Sequence, residues 1–97
     1  MENIDIRAKI PYLKLQEFKQ SKLSFLEELE GVDGYIGYTE SPGEDYNIVI
    51  EWKSRQQLDS FLDSELYYFF RGAIQTLGEV SKITVQSNKE IQKLFNN

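Results

Sequence analysis

The residues best suited to bind a flat organic compound lie between positions 52 and 71. Trp52 is the only tryptophan of the 97-residue chain, and Phe61, Tyr67 and Phe70 follow it in an amphipathic segment. Aromatic rings stack on flat molecules, and a cation such as Arg71 can stabilise an anion formed on one. These five residues are the predicted substrate-binding set. The sequence does not identify a catalytic base.

Each of these residues also has a purely structural interpretation. A single tryptophan between a sheet and a helix is commonly a core residue, and the rings on the helix can serve the core or an interface between subunits. Arg71 can instead pair in solvent with an acid such as Glu65 or Glu79. The other candidate donors to an anion are Arg7 or a tyrosine hydroxyl.

The composition removes several kinds of chemistry. The chain has no cysteine and no histidine. Thiol nucleophiles, disulfides and thiolate metal sites are therefore excluded, together with the commonest general base and the usual proximal haem ligand. We expect no metal site and no cofactor.

The charge and the hydropathy pattern restrict the partners. The net charge is −5 and the basic residues are scattered, which disfavours binding to a nucleic-acid backbone. No apolar run approaches the roughly 20 residues that span a bilayer, and the polar start is unlike a signal peptide. We expect a cytoplasmic protein that binds neither nucleic acid nor membranes.

The patterning predicts four strands and two long helices in one domain covering residues 1–97. Apolar residues alternate over 4–10, 35–39, 46–52 and 79–86, as in strands, and recur at helical spacing over 13–30 and from Ser54 to Leu77. Lys22 interrupts the apolar stripe of the first helix, and we expect its stem to lie along the edge of the core. Ser87 with Glu90 predicts a short terminal helix whose apolar side comprises Ile91, Leu94 and Phe95.

The second long helix is predicted to break in its middle. Ser54 with Gln57 forms a capping-box pattern directly after the third strand. The apolar stripe then changes phase near Asp63 and Ser64, which indicates a bend or a new cap. The turn at 41–44 has proline and glycine at the positions of a type II turn, which predicts a hairpin between strands two and three.

The element order β-α-β-β-α-β is that of an α+β, ferredoxin-like fold with a four-stranded antiparallel sheet. Both helices then cover one face of the sheet and leave the other bare. We expect a homodimer in which the bare faces stack, with Val49 in the interface. Polar residues share that face. One of them, Glu51, can act as a base or form a buried or interfacial ion pair with Lys9 or Arg7.

These residues resemble a known family. The segments 34–38 and 50–54, followed by Leu58, Phe61, Ser64, Tyr67 and Phe70, are similar to the antibiotic-biosynthesis monooxygenase family of the dimeric α/β-barrel superfamily. The resemblance covers the chain from strand one to strand four. It implies a dimeric α/β barrel and, in some members, oxygenation without a cofactor.

The chain departs from the family pattern at two positions of the second helix. Phe61 stands where the family commonly has histidine, and Arg71 stands nearest to the iron-binding histidine of haem-degrading members. The resemblance therefore argues against haem degradation. It favours a cofactor-independent monooxygenase acting on a flat aromatic or quinone-type molecule. The alternative is a non-catalytic dimeric module that binds a small apolar ligand or has a structural role. The first function predicts a pocket between sheet and helices that touches Trp52 and Phe61.

Overall fold

A computed structural model gives the structure of residues 2–87. The predicted terminal helix, with Ile91, Leu94 and Phe95, lies outside these residues. The described elements differ from the predicted ones mainly at their ends. In chain order they are β1 (Glu2–Lys9), one turn of 3-10 helix (Tyr12–Lys14), α1 (Leu15–Leu29), β2 (Tyr35–Ser41), β3 (Asp45–Trp52), α2 (Arg55–Leu62), α3 (Glu65–Leu77) and β4 (Glu79–Ser87).

The four strands form one antiparallel sheet in the order β2-β3-β1-β4. Strand β1 lies in the centre, with Ile4 opposite Ile50 of β3 and Val85 of β4. Strands β2 and β3 are joined by the predicted hairpin, whose Gly43 has a φ of +117° as a type II turn requires. The ferredoxin-like fold is therefore confirmed.

One face of the sheet carries the core. Alternate residues of β1 and β3 are buried, which is the consequence of side chains pointing to opposite faces along a strand. They share a single cluster with the buried residues of the three helices. The strand members of this cluster are Ile4, Ile6, Ala8, Tyr46, Ile48, Ile50 and Trp52.

The predicted break in the second long helix is confirmed. Ser54 caps α2 by accepting a hydrogen bond from the Gln57 amide at 3.2 Å. Ser64 caps α3 by accepting from the Tyr67 amide at 3.2 Å, and it donates to the Phe61 carbonyl at 2.6 Å. The new cap resets the helical phase, so Tyr67 and Phe70 join Phe61 in the core.

The opposite face of the sheet is polar. Asn47 donates its side-chain amide to the Asp5 carboxylate and to the Ile6 carbonyl, and Arg7 pairs with Asp5 at 3.6 Å. Val49, which lies opposite Asp5, is half-buried. This face is uncovered by any described element, as the fold predicts.

Among residues 2–87 of one protomer, Glu51 forms no ion pair with Arg7 or Lys9, and a pair across the subunit interface stays a prediction. The register places Glu51 opposite Asn3, whereas Arg7 lies opposite Asn47 and is taken by Asp5. Glu51 and Arg7 are therefore separated along the sheet.

Among residues 2–87, no helix has both the length and the apolar character that crossing a bilayer would demand.

Gly78, between α3 and β4, is expected to tolerate substitution poorly. A Cβ placed there would overlap the backbone carbonyl of Lys9, which cannot move without disturbing β1. We expect Gly78→Ala to lower the free energy of unfolding by about 1–3 kcal/mol, as overpacking does. Urea denaturation measures this change.

Gly72 provides the matched control. It lies inside α3, and a Cβ there meets no atom within 4 Å. Gly72→Ala should raise the free energy of unfolding by about 0.5–1 kcal/mol, because alanine loses less conformational entropy in a helix. Equal effects of the two substitutions would contradict the close approach at Gly78.

Candidate functional site

Four of the five predicted site residues meet in one aromatic cluster. The rings of Trp52 and Phe61 lie 4.7 Å apart between centroids, and Phe61 contacts Tyr67 edge to face at 5.3 Å. Phe25 of α1 connects Phe61, at 6.2 Å, to Phe70, on which it stacks at 4.0 Å. The cluster therefore joins the end of β3 to all three helices.

Local structure brings the end of β3 next to α2. The Lys53 amide donates to the Gly34 carbonyl at 2.9 Å, which holds the segment after Trp52 against the start of β2. Gly34 has a φ of +89°, and the following Tyr35 places its ring edge against Trp52 at 6.1 Å. The serine cap of α2 then starts the helix at Arg55, which places Phe61 over the indole.

The indole N–H of Trp52 is buried and has no hydrogen-bond acceptor within the described residues. The register places Glu2 directly opposite Trp52 on the same face of the sheet. One Glu2 carboxylate oxygen, Oε1, accepts a hydrogen bond from the Ser87 hydroxyl at 2.9 Å, while Oε2 is buried and has no donor in the part of the chain that the structure describes. A free donor and a free acceptor thus lie on neighbouring residues beside the ring cluster.

Unpaired buried polar atoms are uncommon because each one forfeits its hydrogen bonds to water. A hydroxyl group has the right chemistry to satisfy both, since it can accept from the indole N–H and donate to Glu2 Oε2. Sequence analysis did not identify Glu2, because only the pairing of β1 with β3 brings it opposite Trp52.

Arg71 does not join the cluster. It is exposed on α3, next to the buried Phe70, and none of the described acids, including Glu65 and Glu79, lies within ion-pair distance of it. Arg7, the other arginine considered, lies on the polar face of the sheet. In the protomer, neither arginine lies beside the aromatic cluster, where it could donate to an anion bound against the rings.

The predicted pocket beside Trp52 and Phe61 does not coincide with any of four surface cavities that described residues line. Trp52 and Phe61 are essentially inaccessible to solvent and contact each other instead. The cavities have volumes of about 630, 420, 540 and 240 Å³. The smallest is lined by Leu15, Phe18, Lys19, Lys22, Pro42, Gly43 and Tyr46.

A cluster of polar side chains lies at the other end of the core. The only sign of it in the sequence is a lysine in the apolar stripe of α1. Lys22, which interrupts the apolar stripe of α1, keeps only 12% of its side chain exposed and binds Glu40 Oε1 at 3.2 Å. Tyr46 donates its hydroxyl to Glu40 Oε2 at 2.9 Å, and the Lys22 ammonium lies 5.6 Å from the centre of the Tyr46 ring. The ammonium is therefore paired with Glu40 rather than extended into solvent.

Burial raises the pKa of Tyr46 far above its ordinary value, and the negative charge of Glu40 raises it further. The phenol is therefore a hydrogen-bond donor throughout the physiological range.

Comparisons with solved structures agree with the fold. A conserved protein from Methanosarcina mazei has a TM-score of 0.78 at 21% identity, covering 88% of this chain and 89% of its own. A provisionally assigned antibiotic biosynthesis monooxygenase from Nitrosomonas europaea has a TM-score of 0.75 at 13% identity, with 91% and 98% covered. SnoaB, a cofactor-independent oxygenase from Streptomyces nogalater, has a TM-score of 0.75 at 11% identity, with 89% and 90% covered.

The resemblance to antibiotic biosynthesis monooxygenases is therefore confirmed at the level of the fold. No protein-family model matches the sequence, and no curated protein is similar enough to match it.

The raised pKa of Tyr46 predicts a specific loss of stability in alkali. In the unfolded chain a tyrosine titrates near pH 10, so the stabilisation from Tyr46 is complete below that pH. Above it, the unfolded state loses a proton that the folded state keeps, and stability should fall by about 1.4 kcal/mol per pH unit from this group.

Unfolding free energies measured between about pH 9 and 11 should fall more steeply for the wild type than for Tyr46→Phe. Tyr12→Phe is the control, because Tyr12 is 74% exposed and its removal should leave the slope unchanged. Identical slopes for the wild type and Tyr46→Phe would show that the Tyr46 hydroxyl titrates normally.

Proposed function

We propose that this chain is a cytoplasmic, homodimeric, cofactor-independent monooxygenase acting on a flat aromatic compound that bears a hydroxyl group. The observation that supports this most is two buried polar atoms, Trp52 Nε1 and Glu2 Oε2, which have no hydrogen-bond partner among residues 2–87 and lie at the edge of a ring cluster. The fold shared with SnoaB, which is a cofactor-independent oxygenase, supports the reaction class.

The chemistry requires a bound substrate anion and dioxygen. The substrate O–H bond breaks and its proton passes to Glu2 Oε2. The electron pair stays on the substrate oxygen, which accepts a hydrogen bond from the indole N–H of Trp52. For an anthrone-type CH₂ group, one atom of O₂ becomes the new carbonyl oxygen and the other leaves as water. The substrate supplies all four electrons, so no reductant is needed.

The predicted rings have distinct parts in this proposal. Phe61 already contacts the indole, and Tyr67 contacts Phe61 from the side, so a flat substrate would stack against Trp52 by displacing Phe61. Phe70 is stacked on Phe25 and would form the rigid back of the site. Arg71, being exposed, would act only at the mouth of such a site or on a partner subunit.

The second candidate function is a non-catalytic dimeric module that binds a small apolar ligand or has a structural role. It is favoured by the direct contact between Trp52 and Phe61, because the rings fill space that a substrate would otherwise use. Binding without turnover separates this function from the first.

The test of catalysis is aerobic incubation with a panel of anthrones, which become quinones by gaining one oxygen atom, followed by measurement of quinone absorbance. We expect the wild type to exceed the background rate. Trp52→Phe and Glu2→Gln should each slow oxidation by about tenfold or more, because each removes one hydrogen-bonding atom from the developing anion. Phe18→Leu is the control, since it replaces a ring of the same core by a smaller side chain and leaves Trp52 Nε1 and Glu2 Oε2 in place.

The single tryptophan also reports binding. Its fluorescence, titrated without oxygen, should respond to the same compounds. A fluorescence response with no wild-type oxidation above background would support the binding module. The absence of both oxidation and a fluorescence response would reject catalysis and ligand binding and would favour the structural role.

The homodimer is proposed from the uncovered polar face of the sheet. Asn3, on that face, has a side-chain carbonyl that is buried without a donor in the described residues, and a stacked second sheet could supply one. Val49 supplies apolar area beside it.

Light scattering at micromolar concentration should report twice the 11.4 kDa mass of the chain. Val49→Asp places a carboxylate directly opposite Asp5 and should produce monomers, whereas Gln56→Asp, on the exposed side of α2, should remain dimeric. A monomeric wild type would refute the stacked sheets.

A further inference from the structure

The cavity of about 240 Å³ between α1 and the β2–β3 hairpin has an unusual combination of walls. Its apolar and aromatic sides come from Leu15, Phe18, Pro42 and Tyr46, and the rings of Phe18 and Tyr46 meet edge to face at 4.8 Å. This volume is below the range of about 300–1,000 Å³ for drug-sized ligands, so it suits a smaller molecule.

The charges that line this cavity are positive. Lys19 and Lys22 both line it, and none of its lining residues is acidic. Glu40 binds Lys22 from outside the lining, while Glu44 and Asp45 of the same hairpin line a different cavity. The local field therefore favours an anion, although the chain as a whole carries a net charge of −5.

Lys22 retains capacity to bind that anion. A lysine ammonium has three N–H donors, and the contact with Glu40 Oε1 uses one of them. Within residues 2–87, the structure shows no second acceptor for Lys22. Glu40 accepts from Lys22 through Oε1 and from the Tyr46 hydroxyl through Oε2, so only one of its oxygens lies on the ammonium, and Lys19 adds a second positive charge to the lining.

We propose that this cavity is a binding site for a small aromatic carboxylate, with the carboxylate on Lys22 and the ring between Phe18, Leu15 and Tyr46. The walls favour an aromatic body over a bare inorganic anion, because phosphate sites are typically built from backbone N–H groups at helix N-termini rather than from apolar side chains. The inference is independent of the oxygenase proposal, since the cavity contains neither Trp52 nor Glu2.

The probe is benzoate, added to the ¹⁵N-labelled full chain and followed by NMR. Amide shifts should appear at Gly43 and Lys22 and saturate within tens of millimolar. Benzamide, which has the same ring without the charge, and inorganic phosphate should leave those amides unchanged. Equal binding of benzamide, displacement of benzoate by phosphate, or an absence of saturable shifts at these residues overturns the proposal.

Two substitutions with opposite expected signs test the electrostatic argument. Lys22→Met keeps the buried stem and should weaken benzoate binding by about tenfold or more. Glu40→Gln keeps an acceptor for Tyr46 but removes the competing charge, and it should tighten benzoate binding severalfold. Lys53→Met is the control, because Lys53 is exposed beyond the end of β3, and it should change affinity less than about twofold.

An unchanged affinity in folded Lys22→Met, or weaker binding in Glu40→Gln, contradicts the proposal. If Lys22→Met fails to fold, the Glu40→Gln result and the comparison of benzoate with benzamide on the wild type still decide it.

Discussion

The structure depends on a layer of rings between the sheet and the helices, centred on the stacking of Phe25 on Phe70. Their centroids are 4.0 Å apart and their planes are within 9° of parallel. This contact fixes α1 beside α3, and Phe18 and Phe61 extend the layer on either side of it. An aromatic pair of this kind contributes about 0.5–1.5 kcal/mol beyond its buried area. A chain of this size, which buries a modest fraction of its surface, relies heavily on such contacts.

The ring layer also determines what its two ends can do. At the end of β3, Trp52 Nε1 and Glu2 Oε2 are buried and have no hydrogen-bond partner among residues 2–87. At the opposite end of the same strand, Lys22 and Tyr46 both donate to Glu40 beside an open cavity. The first arrangement has the chemistry to bind and deprotonate a hydroxyl group, and the second has the chemistry to hold an anion.

The missing histidine and cysteine narrow the reactions that the fold can support. In the proposed reaction, proton transfer in the core would fall to a carboxylate, and among the described residues Glu2 combines burial, a free oxygen and proximity to Trp52 along the register. A hydroxylated aromatic substrate that brings its own electrons is consistent with this limited set of groups. The direct contact of Phe61 with Trp52 means that substrate entry must be accompanied by ring movement.

Local patterns in the sequence are sufficient to predict the elements and the fold. Alternation in β1 and β3, the serine caps at Ser54 and Ser64, and the glycine at the hairpin are local signals, because each depends on residues a few positions apart. The clustering of Phe61, Tyr67 and Phe70 follows from the same helical spacing once the new cap resets the phase.

Which polar groups meet depends on contacts between distant segments of the folded chain. Glu2 faces Trp52 because β1 pairs with β3 in one particular register, and Lys22 reaches Glu40 because α1 packs across the hairpin. The exposure of Arg71 and the closing of the space beside Trp52 depend likewise on how the helices settle on the sheet. Strand register and helix packing are set by the sum of many weak contacts between distant segments, so a local pattern in the chain does not specify them.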